Sequence, residues 1–244
     1  MGSYENFARV YDEFMDQTPY DLWCDHILKI FSRYHVPQNG SILELGCGTG
    51  KMTRRLAAKG YELTAVDNSL DMLEIARSKT EDPILYVYQD MTELELPGKV
   101  DAAISVCDCM NYLLEEKDLL ETFRRVRKYL KPEGVFFFDM NSRYKYEHLL
   151  AQNTFAEDRE DASFIWDNFY DEEERINEYQ ISLFLRNPEG TYDKFEEDHF
   201  QKAYEIEEVR DLLYRAGFEE VRVLDAESLE EPAEESQRIG YIAW

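Results

Sequence analysis

The residues of this chain that could do chemistry sit at the ends of short apolar runs. The first run, 42–45, carries Glu44 and ends in glycines at 46, 48 and 50. Glycine is needed where the backbone turns at positive φ, or lies against a ligand with no Cβ in the way. A helical stretch, 51–59, follows and is closed by Gly60. Strand, glycine turn and helix together make a crevice at the strand's carboxyl end, where α/β sheets bind nucleotide-like ligands. A second run, 61–67, ends in Asp67. A carboxylate at such a tip can accept hydrogen bonds from both hydroxyls of a ribose. A third run, 84–90, ends in Gln89 and Asp90. A fourth, 99–107, leads into Asp108, Asn111 and Tyr112.

The elements that must position these tips read clearly. Run 99–107 is apolar throughout, as a strand buried on both faces by helices should be. The spacing of Leu119, Leu120, Phe123, Val126 and Leu130 predicts an amphipathic helix over 116–130. A Lys-Pro-Glu-Gly turn ends it, and 135–141 is the fifth strand. Residues 205–216 form a helix closed by Gly217, 218–224 the sixth strand and 238–244 the seventh. Ahead of the first strand, Tyr4, Phe7, Ala8, Tyr11 and Phe14 recur at helical steps, as do Trp23, Ile27, Ile30 and Phe31. Between strands five and six, 142–152 reads as helical. Segments 164–170, 175–186 and 191–204 read as three strands of an antiparallel meander. Alternation of Tyr179, Ile181, Leu183 and Leu185 gives that meander one apolar face.

Bulk properties narrow the function. The chain has 244 residues with 44% hydrophobic content, enough for a sizeable core. Its net charge of −25 repels phosphate backbones and anionic membranes, so nucleic acid is disfavoured as a partner. No apolar run reaches membrane-spanning length and no signal peptide is evident. The four cysteines, 24, 47, 107 and 109, make no Cys-x-x-Cys pair and read as reduced thiols of a cytoplasmic protein. The four histidines, 26, 35, 148 and 199, are scattered, and no metal site is expected.

Glu44-x-Gly46-x-Gly48-x-Gly50 followed by Asp67 resembles the first two motifs of class I S-adenosylmethionine (SAM)-dependent methyltransferases. The turn lacks the Gly-x-Gly-x-x-Gly spacing typical of nicotinamide-binding folds, which argues against an oxidoreductase. The resemblance is good over 38–140 and 205–244, and looser over 3–35 and 142–204. It implies a Rossmann-like seven-stranded sheet in the order 3-2-1-4-5-7-6, strand 7 antiparallel, with helices on both faces. The SAM-binding core would comprise 1–141 and 205–244. Residues 142–204 would form an inserted antiparallel β lid, resembling that of glycine and aminosugar N-methyltransferases, over the acceptor pocket. Trp166, Phe169, Tyr170, Arg186 and His199 could reach that pocket.

The same resemblance implies a donor site. Glu44 would brace the loop made by Gly46, Cys47, Gly48 and Gly50. Asp67 and Asn68 would hold the ribose, Met72 would pack on adenine, and Gln89, Asp90 and Met91 would serve its edge. Tyr4 and Tyr11 of the N-terminal cover would approach the sulfonium, which an aromatic face stabilises. Asp108, also at the methionine end, would join Asn111 and Tyr11 as the catalytic group. A carboxylate there could orient or deprotonate an amine or hydroxyl. The expected reaction is methyl transfer from SAM to nitrogen or oxygen of a small molecule. A protein or RNA acceptor and a non-catalytic SAM-binding module are the alternatives. The apolar lid face could pack on its own core or pair two copies as a homodimer.

Overall fold

The computed structural model describes residues 7–81 and 83–244. Helices α1 (Ala8–Phe14) and α2 (Tyr20–Arg33) precede β1 (Ser41–Leu45), α3 (Lys51–Ala58), β2 (Glu62–Asp67), α4 (Leu70–Ser78) and β3 (Leu85–Tyr88). Then come β4 (Val100–Ser105), α5 (Glu116–Tyr129) and β5 (Leu130–Asn141). Strands β6 (Thr154–Asp158), β7 (Ala162–Asp171), β8 (Ile176–Arg186) and β9 (Tyr192–Lys202) follow, and α6 (Ile206–Ala216), β10 (Val221–Asp225) and β11 (Arg238–Ala243) complete the order.

The large sheet runs β10-β11-β5-β4-β1-β2-β3. Counting its strands along the chain, this is the expected 3-2-1-4-5-7-6. β11 lies antiparallel to both β5 and β10, and the remaining pairs are parallel. Successive side chains of a strand point to opposite faces, and here both faces are covered. Leu43, Leu45, Phe136, Phe138 and Tyr241 pack towards α5 and α6. Ile42, Phe137 and Ile242 pack towards α2 and α3. Unbroken apolar runs follow from this, because no strand position in the middle of the sheet meets water.

The second sheet, β6-β7-β8-β9, is antiparallel and has four strands where the periodicity predicts three. The added strand holds Phe155 and Ala156 between polar neighbours. Pairing with β7, which sets Phe155 opposite Trp166, makes it a strand. The helical stretch expected over 142–152 winds as a π-helix over Lys145–Leu150. One end of the sheet's inner face packs on Tyr146 and Leu150, and the other, through Leu183 and Phe164, on Phe14 of α1. α1 thus lies between the second sheet and the glycine loop.

Candidate functional site

The glycine turn closes locally. Gly50 N–H bonds Cys47 O at 2.9 Å, and Cys47 N–H bonds Val66 O at 3.0 Å. Gly48 has φ +51°, and a Cβ built on it meets nothing within 4 Å. Its open side is a place for a ligand to lie against backbone. A Cβ on Gly46 would lie 2.5 Å from Cys109 Sγ, so only glycine lets the β4 turn pack on the loop. Asp67 ties the loop to the next helix. Its Oδ2 accepts from Gly48 N–H at 2.7 Å and its Oδ1 from Ser69 N–H at 2.9 Å. Burial raises the Asp67 pKa, and these N–H groups work against that rise.

A cavity of about 400 Å³ opens at the carboxyl ends of β1, β2 and β4. The glycine loop, Asp67, Asn68 and Met72 form one wall, Asp90 and Met91 another, and Tyr11, Tyr20, Tyr112 and Phe200 the aromatic side. Glu44 lies at its base, with Oε2 lacking a hydrogen-bond partner among the described residues. Burial, helped by the charge of Asp67, pushes the Glu44 carboxyl up to about 8. Cys47, Cys107 and Cys109 also line the cavity. Burial pushes all three thiols up, so none is a thiolate nucleophile near neutral pH.

The wall that carries Tyr11 is clasped to the loop by charge. Asp12 accepts from Thr49 Oγ1 and from Lys79 Nζ, each at 2.6 Å. Lys51 Nζ reaches Asp12 O and Met15 O, both at 3.1 Å. From the other side, Arg159 at the β6–β7 turn bonds Asp16 at 2.9 and 3.1 Å and stacks over Phe14.

A methyltransferase-domain family model matches residues 42–134. The chain is 40% identical over 243 residues to YqeM of Bacillus subtilis (strain 168), which bears the methyltransferase name. That match covers 98% of this chain and 96% of YqeM. The fold superposes with TM-score 0.87 and 29% identity on an S-adenosylmethionine-dependent methyltransferase of Clostridium acetobutylicum ATCC 824, covering 99% of this chain and 98% of that one. This chain belongs to the SAM-dependent methyltransferases. The sugar N-methyltransferase KedS8 of Streptoalloteichus sp. ATCC 53650 shares the methyltransferase fold at TM-score 0.79, with 96% and 92% coverage. At 18% identity that likeness is one of fold.

Most of the donor residues anticipated in this methyltransferase meet at the cavity: Tyr11, Glu44, Gly46, Cys47, Gly48, Asp67, Asn68, Met72, Asp90 and Met91. Gly50 sits behind the loop, where a Cβ would strike Tyr86 Oη at 2.6 Å. Gln89 turns away and accepts from Glu95 N–H at 2.9 Å. Asp90 caps a short 3-10 turn, accepting from Thr92 N–H and Thr92 Oγ1, and still faces the cavity. Tyr4 lies outside the described residues.

The three catalytic candidates are placed differently from one another. Asp108 does not line the cavity, and both its oxygens are engaged. Oδ1 pairs with Arg238 Nη2 at 2.8 Å, and Oδ2 accepts from Gln201 Nε2 at 2.7 Å. Burial would raise its pKa, but the guanidinium of Arg238, with Lys145 and Gln201, outweighs burial and holds the carboxyl below the usual range. An anion so satisfied is a poor general base. Asn111 is buried and brackets two strand ends, bonding Asn141 N–H at 2.9 Å and Lys202 O at 2.8 Å. Tyr11 remains at the cavity. The turn itself is strained: Cys107 (φ 68°) and Asp108 (φ 54°) are left-handed, at roughly 1–3 kcal/mol each for residues with side chains. Asp139 offsets this by accepting from both their N–H groups, at 2.9 and 3.3 Å, and Arg238 pairs with Asp139 as well.

None of the five anticipated lid residues lines the cavity. Trp166 packs against Phe155 and Tyr179, Tyr170 stacks on Tyr146, Phe169 is exposed, and Arg186 pairs with Asp161. β9 instead delivers Phe200 to the cavity, beside buried His199. Sequence reasoning also missed Tyr20 and Lys51 there. Tyr20 sits in a helical pattern that reads as core. Lys51 follows Gly50 directly, and that position is the one local signal available for it.

Proposed function

We propose that this methyltransferase moves a methyl group from SAM to nitrogen or oxygen of a small-molecule acceptor. The observation that carries the reading is the aromatic side of the cavity. Tyr11, Tyr112 and Phe200 come from α1, the β4 turn and β9, and α1 is pinned from both sides. Such a wall offers apolar faces against which a compact acceptor can be oriented, and orientation is most of what this reaction asks of a protein. SAM supplies an activated methyl on a sulfonium, so no covalent nucleophile is required.

The residues present fit that donor. The open side of Gly48 admits the methionine part beside Glu44, Asp67 can still accept from ribose hydroxyls, and Met72, Asp90 and Met91 suit adenine. Residues 142–204 serve as the lid on the acceptor side. The excess of Asp and Glu, 52 against 27 Lys and Arg, favours an uncharged or cationic acceptor over RNA.

Two measurements follow. Purified protein with methyl-labelled SAM is incubated with a cell extract separated into metabolite, RNA and protein fractions. Label in the metabolite fraction is expected, and label confined to RNA or protein overturns the small-molecule reading. Glu44 supplies the second. A carboxyl pushed up from 4.5 to about 8 binds a proton in the fold that it lacks when unfolded. Its contribution to stability is therefore full below pH 4.5 and lost as pH rises through about 8. A cation bound beside it draws that value down, so SAM binding near neutral pH releases protons. Calorimetry in buffers of different ionisation enthalpy reads this directly, and Glu44→Gln abolishes the release.

A further inference from the structure

Tyr112, His199 and Glu197 form a chain that the donor site does not use. Tyr112 lines the cavity. Its hydroxyl lies 3.3 Å from His199 Nδ1. His199 is 2% exposed on β9, and Glu197 Oε2 lies 3.4 Å from its Nε2. Glu197 is itself buried and fixed, accepting from Phe7 N–H at 3.0 Å through Oε1. Nδ1 thus faces the phenol at hydrogen-bond distance, and Nε2 faces the carboxylate at ion-pair distance, with no hydrogen bond to it among the described residues. A neutral imidazole carries one N–H and one lone pair. With the proton on Nε2 towards the carboxylate, the Nδ1 lone pair is left to the phenol.

We propose that Glu197, His199 and Tyr112 are a carboxylate–imidazole–phenol relay that takes the acceptor's proton during methyl transfer. This rests on the reading that Tyr112 faces the acceptor. The acceptor nitrogen or oxygen forms its bond to the methyl carbon. The C–S bond breaks, leaving its electron pair on sulfur. The acceptor's proton passes to the Tyr112 oxygen as the phenol's own proton passes to His199 Nδ1. The imidazolium is stabilised by Glu197 and returns its proton to water when product leaves. Tyr112 is the catalytic residue, and His199 and Glu197 act through it. Asp108, the carboxylate that the sequence offers for this work, is committed to Arg238 and Gln201.

The test has two readouts. In full-length protein labelled with ¹⁵N-histidine, His199 is identified by the resonance lost in His199→Gln. At pH 7.5 its Nε2 should be protonated and its Nδ1 should show the shift of a hydrogen-bond acceptor. Tyr112→Phe should shift the Nδ1 resonance. In the second readout, whichever extract fraction accepts label from SAM serves as acceptor. Positioned acid–base groups contribute about 10²–10⁴-fold, so Tyr112→Phe and His199→Gln should each slow transfer about 100-fold. The double variant should be no slower than either single one. SAM affinity should stay within threefold. An Nδ1–H tautomer, an imidazolium at that pH, or a Tyr112→Phe enzyme at full rate overturns the relay. If no metabolite takes label, the small-molecule reading fails, and the wild-type nitrogen spectrum still decides the relay.

Discussion

Asp67→Ala should abolish useful SAM binding while leaving the protein folded. The carboxylate stands at the tip of β2 against the cavity and already holds Gly48 N–H and Ser69 N–H at 2.7 and 2.9 Å. Two further hydrogen bonds from ribose hydroxyls to a charged acceptor are worth about 1.5–3 kcal/mol each. Their joint loss weakens binding about 10²–10⁴-fold. The true cost is higher still, because the variant also frees the glycine loop from its anchor. Equilibrium dialysis with labelled SAM measures this, and thermal unfolding checks the fold. Affinity within threefold of wild type would sink the donor assignment.

The second large effect belongs to Arg238. This guanidinium is 8% exposed, stacks on Trp23 with 5.1 Å to the ring centroid, and serves two carboxylates, Asp108 and Asp139. Arg238→Met keeps much of the volume and strands both anions. Removing one partner of a buried pair costs about 3–5 kcal/mol, on the order of 10 °C in melting temperature for a chain of this size. The pH dependence carries the diagnosis. In the wild type Asp108 has a lowered pKa, so its contribution is present above pH 3.8 and lost as pH falls through the lowered value. In the variant a carboxyl facing another buried anion has a raised pKa, so stability is lost as pH rises instead. Urea unfolding at pH 5.5 and 8 should show the variant more stable at the lower pH. Asp108→Asn added to Arg238→Met should recover part of the loss. A pH-independent deficit would mean that lost packing on Trp23, not stranded charge, is the cause.

These two residues mark how far the sequence could be read. Asp67 was legible because everything that defines it is local. It ends an apolar run, follows a glycine turn by fewer than twenty positions, and precedes a serine-capped helix. The alternation of doubly buried strands and amphipathic helices was legible for a related reason, whereas the strand order came from the resemblance to the methyltransferases and not from the pattern itself. Asp108 reads differently. Its position after β4 is plain from sequence, but its neutralisation by an arginine 130 positions away leaves no local trace. Asn111 is the same case, since nothing near it announces Asn141 and Lys202 as partners. The β6 strand was missed because its pattern is weak alone and is imposed by β7. Phe200 was missed because alternation along β9 cannot say which outward residue hangs over the cavity.

The placement of β11 has a consequence for the order of assembly. The donor half of the site closes over short spans, with Gly48 and Asp67 only 19 positions apart. The turn after β4 gains its counter-charge only when β11 slots between β5 and β10 and brings Arg238 to partners 99 and 130 positions away. Closing the longest of these loops costs about 2 kcal/mol more chain entropy than closing the donor loop. Contacts of such separation form late. Before β11 arrives, the strained turn at Cys107 and Asp108 has Asp139 beneath it without its counter-charge. The glycine loop can therefore form before β11 docks, whereas the turn after β4 is neutralised only afterwards.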